Sequence, residues 1–148
     1  MEKIRKPKKV FMQGPISPVF ITESIASHQS KTDIGAHAIF LGQIRADQKE
    51  AGVVTGIEYS AYEEMAEDAF HKIREAAFEK FELSCMHIYH SLGVVPTGEI
   101  SLFVFVSSPH RRAAFEASEY IVEEIKANVP IFGKELVGEA GYVWKENK

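Results

Sequence analysis

The chain has 148 residues, 45% hydrophobic and 26% charged, which suits one domain with its own core and needs no disulfide or structural metal. The net charge of −4 is uneven, because residues 1–9 hold Lys3, Arg5, Lys6, Lys8 and Lys9 against Glu2 alone and leave the remainder at −8. A body that acidic argues against general binding of nucleic acid, and no apolar run approaches the length of a membrane span.

The basic start is not read as a signal sequence, since Gln13, Gly14, Pro15 and Pro18 interrupt the apolar stretch behind it. A solvated arm over residues 1–9 and one domain over residues 10–148 are expected, in the cytoplasm. Cys85 is the only cysteine, so no internal disulfide forms, and its apolar surroundings read as a buried, unreactive strand thiol.

In chain order, residues 10–12 form a short strand ended by Gly14 and Pro15. Ser17 and Pro18 are an N-cap and first-turn proline for a helix to about His28. Residues 36–44 and 53–62 read as strands, predicted to pair with each other across a polar loop. Residues 63–81 are the clearest helix, with Ala66, Phe70, Ile73, Ala77 and Phe81 on one stripe. Strands at 83–89 and 99–106 flank a turn containing Gly93, Pro96 and Gly98. The second of these is almost wholly apolar and therefore central. A helix over 109–128 turns Ala114, Phe115, Ile121, Val122 and Ile125 inward, and Pro130 ends it. Ile131-Phe132, Leu136-Val137 and Tyr142-Val143-Trp144 are short terminal strands. The fold class is α+β, a single domain whose mixed, mostly antiparallel sheet has helices packed against it.

The run Ser107-Ser108-Pro109-His110-Arg111-Arg112 breaks a charge rule. With Ser108 as N-cap and Pro109 in the first turn, His110 and Arg111 sit at the positive end of a helix dipole, where acids are favoured. Free amides, the dipole and guanidinium groups together make an anion pocket; the alternative is that Arg111 and Arg112 pair with nearby carboxylates. Lys126, in the last turn, suits the dipole and can pair with Glu123. Arg45 closes an apolar strand at a loop, where binding residues gather. His87 and His90, three apart on a strand, point to opposite faces, so no metal site is expected from them. His28, His37 and His71 read as surface or packing residues. Tyr59 and Tyr62 read as sheet packing or as a platform for a planar ligand.

In order along the chain stand Gly35-Ala36, Phe40-Leu41-Gly42-Gln43-Ile44-Arg45, Glu58-Tyr59-Ser60-Ala61-Tyr62, Met65-Ala66, Gly98-Glu99, Ser108-Pro109-His110-Arg111, Ala114-Phe115, Ile125-Lys126 and Val129-Pro130-Ile131-Phe132-Gly133-Lys134-Glu135. The ordered set resembles the MoaE family, the large subunit of molybdopterin synthase. The resemblance implies an α/β hammerhead-type domain that forms a homodimer, within a heterotetramer completed by two small, MoaD-like sulfur-carrier subunits. It implies a sulfurtransferase acting in molybdenum cofactor biosynthesis. The carrier's C-terminal Gly-Gly thiocarboxylate supplies sulfur to cyclic pyranopterin monophosphate, forming the molybdopterin dithiolene. No cofactor, metal or catalytic cysteine is called for.

By the same resemblance, Lys126 is the central catalytic residue and Lys134 a second catalytic cation. Gln43, Ile44 and Arg45 form a substrate-binding loop, with the backbone of Gln43 and Ile44 taking part. His110 and Arg111 hold pterin phosphate across the dimer, and Gly133, Lys134 and Glu135 complete the substrate site. Two departures stand out. The family's second lysine directly follows the aromatic at Phe132, where this chain has Gly133, so Lys134 either swings into that place or leaves it without a cation. Ser91 stands where arginine is common. A non-catalytic pterin-phosphate binding module of the same fold is the alternative reading, and a plain oligomeric scaffold a more distant one.

Overall fold

The computed structural model describes residues 9–138 and 141–146; most of the basic arm lies outside them. The elements are β1 (Phe11–Gln13), α1 (Pro18–His28), β2 (Ala36–Gln43), β3 (Gln48–Lys49), β4 (Gly52–Ala61), α2 (Glu63–Lys80), β5 (Cys85–Pro96), β6 (Ile100–Ser108), α3 (Arg111–Asn128), β7 (Ile131–Val137) and β8 (Gly141–Trp144). No helix among the described residues is long and apolar enough to cross a membrane.

The sheet runs β2-β6-β5-β4-β7-β8, antiparallel throughout this path, with β1 parallel to β5 and β3 on β4. β6 is central, as its composition requires, because both its faces are covered. Leu102, Val104 and Val106 join the core beneath α2 and α3, while Phe103 and Phe105 pack with Ile16 and Ile21 on the α1 side. On α2 the buried stripe is Ala66, Phe70, Ile73 and Ala77, and Glu63, Glu64 and Lys80 suit the dipole at its two ends. Ser17 Oγ accepts from the Val19 amide at 3.1 Å, capping α1 as its sequence predicts.

The structure corrects several expectations. β2 pairs with β6, not with β4, which lies between β5 and β7. A polar loop between two strands fits a hairpin or a crossover equally well. Here the uninterrupted apolar β6 takes β2 on its second edge, and the loop's own β3 makes the small hairpin with β4. β5 continues to Pro96 where a turn is predicted. Its first half pairs with β6; then Gly93, at φ 82°, lets the chain bend so that Gly93, Val94, Val95 and Pro96 pair with β4. Residues 131–137 are one strand, not two fragments.

Three further corrections concern single residues. Phe115 is 66% exposed. The buried line on α3 is Ala114, Ala117, Ile121, Val122 and Ile125, and a residue next to Ala114 lies about 100° round the axis from it. Ser108 ends β6, fully buried, with its hydroxyl donating to the His110 carbonyl; the helix opens at Arg111 with His110 as its N-cap. Cys85 begins β5 only half-buried, and the Lys31 ammonium donates to its sulfur at 3.0 Å.

Candidate functional site

The start of α3 is built by close backbone approach. The Gly35 amide donates to the Ser108 carbonyl at 3.0 Å, and a Cβ on Gly35 would meet the Pro109 carbonyl oxygen at 2.1 Å. Only glycine lets β2 pass that tightly. Gly35, Pro109, His110, Arg111, Arg112 and Phe115 line an open concavity of about 710 Å³. No acid occupies the first turn of α3, and His110 makes no side-chain cap. Arg112 pairs with Glu116 at 3.2 Å, whereas Arg111 has no carboxylate within 4 Å among the described residues. The pairing alternative thus holds for Arg112 alone. Exposed guanidinium, imidazole and phenyl groups at a helix start make a place for an anion with a flat apolar part.

At the other end of α3 a second group gathers around Tyr59. Its ring lies 5.0 Å from that of His90, and its hydroxyl is 3.3 Å from Ser101 Oγ. Burial, and secondarily Glu135, push the Tyr59 pKa up against the Ser101 hydrogen bond. His90 is 7% exposed and donates from Nδ1 to the Ser91 carbonyl at 2.8 Å. Burial lowers its pKa to about 4, opposed by that hydrogen bond and reinforced by the charges of Lys126 and Lys145. Lys126 keeps contact with solvent, yet desolvation, then repulsion from Lys145, hold its pKa below the ordinary lysine value, with Glu123 pulling the other way.

Gly133 faces this group. A Cβ there would meet Ile57 Cγ2 at 3.0 Å, Tyr59 Cε1 at 3.4 Å and Lys145 Cβ at 3.5 Å. The Lys145 amide donates to the Gly133 carbonyl at 2.8 Å. Lys134 takes the opposite face of β7, its ammonium 4.8 Å from the Tyr142 ring and 5.3 Å from that of Trp144. Strand alternation, which sends neighbours to opposite faces, keeps it from the place that Gly133 leaves. The cation beside that place is Lys145, which sequence reading does not pick out. A lysine after a terminal aromatic carries no local signal; only the return of β8 along β7 sets it there.

The remaining predicted residues divide. Ile44 is buried with Ile57, Val95 and Tyr59, which ties the end of β2 to the same group. Its amide donates to the Glu99 carbonyl at 3.0 Å and its carbonyl accepts from the Gly98 amide at 2.8 Å, so its backbone pins the loop. Gln43 follows a register shift at Gly42 and is exposed. Arg45 reaches solvent and pairs with Asp47 at 3.2 Å, a surface contact that an anionic ligand can displace. Glu135 is buried beside Lys49, at 3.8 Å. Tyr62, 64% exposed, packs edge-on to Phe132. Arg111 and Lys126 are fifteen residues apart on one helix, about 22 Å along its axis. Within one chain they serve separate places.

The model of the family described as MoaE protein matches residues 15–128. The molybdopterin synthase catalytic subunit of Bacillus subtilis is 41% identical over 123 residues, 83% of this chain and 77% of that protein. Those of Aspergillus fumigatus and Bos taurus are 39% and 40% identical over 82% and 77% of this chain, which spans 64% and 60% of their lengths. The structure of molybdopterin synthase from Staphylococcus aureus superposes with a TM-score of 0.80 at 33% identity, over 93% of this chain and 96% of that one. A complex of subunits 1 and 2 of the molybdopterin-converting factor from Helicobacter pylori shares the fold, with a TM-score of 0.78 at 22% identity over 94% and 90%. With its model matched over most of the sequence, and a shared fold, the chain belongs to the MoaE family.

Proposed function

We propose that this chain is the catalytic subunit of a molybdopterin synthase. It transfers sulfur from the C-terminal thiocarboxylate of a small, MoaD-like carrier to cyclic pyranopterin monophosphate, as a homodimer within a heterotetramer and in the cytoplasm. The reading draws on family membership and on relatives named as catalytic subunits. The two-subunit complex seen for the Helicobacter pylori protein favours a small partner. The observation that carries it is the cluster of Lys126 and Lys145 beside buried His90 and half-buried Tyr59, on a chain otherwise rich in acid.

Two ammonium groups near one another and near a buried, neutral imidazole attract a thiocarboxylate and stabilise negative charge as its sulfur attacks the pterin. Desolvation and Lys145 lower the Lys126 pKa, which eases release of its proton and favours a part in proton transfer beside the electrostatic one. Exposed Tyr62 and Phe132 give an apolar approach for the carrier's tail. His110 and Arg111 lie too far along α3 to reach Lys126 in their own chain, so the phosphate they hold reaches a partner copy's lysines. The test is reconstitution of the full chain with a thiocarboxylated carrier and the cyclic pterin. Dithiolene product is expected; phosphate-pterin binding without product would leave only the binding-module reading.

Lys145→Ala is expected to slow sulfuration by about 10-fold, less than a fully enclosed charge would cost because the residue keeps solvent contact. Removing its repulsion also lets the Lys126 pKa rise, so the alkaline limb of the pH–rate profile moves to higher pH. An unchanged limb and unchanged rate would remove Lys145 from the site.

A further inference from the structure

On the opposite face of the sheet, three side chains converge that take no part in the site above. His28 ends α1, and Cys85 and His87 lie two apart on β5, so both point to the α1 side. The ligand-type atoms of the three all lie within 4.8 Å of one another. Half-buried Cys85 accepts a hydrogen bond at Sγ from the exposed Lys31, and His28 is 7% exposed, its ring 4.8 Å from that of Phe105.

The hydrogen bonds of His28 set its donor state. Nδ1 lies 2.7 Å from the Ser24 carbonyl oxygen, which only accepts, so Nδ1 carries the hydrogen. In the neutral ring the Nε2 lone pair is then aimed at His87 Nε2, 3.0 Å away. A backbone carbonyl fixing the far nitrogen while the near one presents its lone pair is the outer-shell arrangement of metal-ligating histidines. Packing against Phe105 holds the ring in that orientation.

We propose that His28, Cys85 and His87 form a binding site for a thiophilic divalent ion of tetrahedral preference, Zn²⁺ being the representative. Bond lengths of about 2.0–2.1 Å to nitrogen and 2.3 Å to sulfur place tetrahedral ligand atoms about 3.3–3.6 Å apart. The two imidazole nitrogens therefore open by a few tenths of an ångström, and Cys85 turns inward. The thiol gives its proton to solvent on binding, His87 shifts its hydrogen from Nε2, where it donates to His28, to Nδ1, and water fills the fourth position. The ion ties the end of α1 to β5 and displaces the Lys31 ammonium, which competes for the same sulfur and repels the ion.

The experiment titrates the full chain, freed of metal by chelation, with Zn²⁺ by calorimetry and with Co²⁺ by absorption. One ion per chain and a thiolate-to-cobalt charge-transfer band are expected. Cys85→Ser removes the band, and Cys85→Ser and His87→Gln each weaken Zn²⁺ binding by at least about 100-fold. Lys31→Met, a surface change that leaves the fold intact, tightens it. A wild-type chain with no band, or an affinity left the same by Cys85→Ser and by Lys31→Met, overturns the site; both readouts are independent of sulfur transfer.

Discussion

Lys126→Ala is expected to lower the rate of pterin sulfuration by about 10²–10³-fold, the range for removing one charge-stabilising group from a reaction centre. The fold should survive, because Lys126 stands on the solvent side of the last turn of α3 while Ile121, Val122 and Ile125 hold the helix to the sheet. Lys126→Arg separates its two roles. Arginine keeps the positive charge but holds its proton at any working pH, so carrier binding persists while a step that needs proton release stays slow. The measurement is single-turnover formation of dithiolene from a preloaded carrier, with circular dichroism as the folding control. Near-normal turnover in Lys126→Ala, with the protein folded, would falsify the catalytic assignment. Full activity in Lys126→Arg would leave Lys126 a purely electrostatic part.

Acid should unfold the protein through His90. Its pKa in the folded chain is about 4, against 6.5 for an ordinary histidine. Above pH 6.5 the ring is neutral in both states and contributes no pH dependence. As pH falls from 6.5 toward 4, the unfolded chain takes up the proton first and stability is lost, reaching about 3 kcal/mol once the folded ring is protonated as well. His90→Asn retains an amide donor near the Ser91 carbonyl but cannot take a charge. Its stability should start lower, from lost packing against Phe11 and Tyr59, and fall less between pH 7 and pH 4. Urea unfolding of both proteins at several pH values gives the comparison. Parallel curves would mean that other groups carry the acid sensitivity. The same burial explains why a neutral imidazole can line a site of two lysines, which would otherwise repel it.

Much of this molecule is legible in local pattern. The stripe from Ala66 to Ala77 specifies α2 because one helical face must be buried, and the unbroken apolar run of β6 specifies a strand covered on both sides. Ser17 and Pro18 mark the start of α1 because capping chemistry is local. The ordered motifs around Arg45, His110, Arg111 and Lys126 point to the family without any coordinates.

What the chain's local pattern leaves open is long-range. Either β4 or β6 satisfies β2 by composition, and the choice falls to β6, which has a second edge to fill. Whether Lys134 or Lys145 stands beside Gly133 depends on strand alternation and on the return of β8, which brings together residues twelve apart in sequence. His28, Cys85 and His87 meet because α1 folds back over β5, a contact between segments nearly sixty residues apart. Periodicity and capping act within a few residues, whereas pairing partners and shared sites are fixed only when separate surfaces are buried against one another.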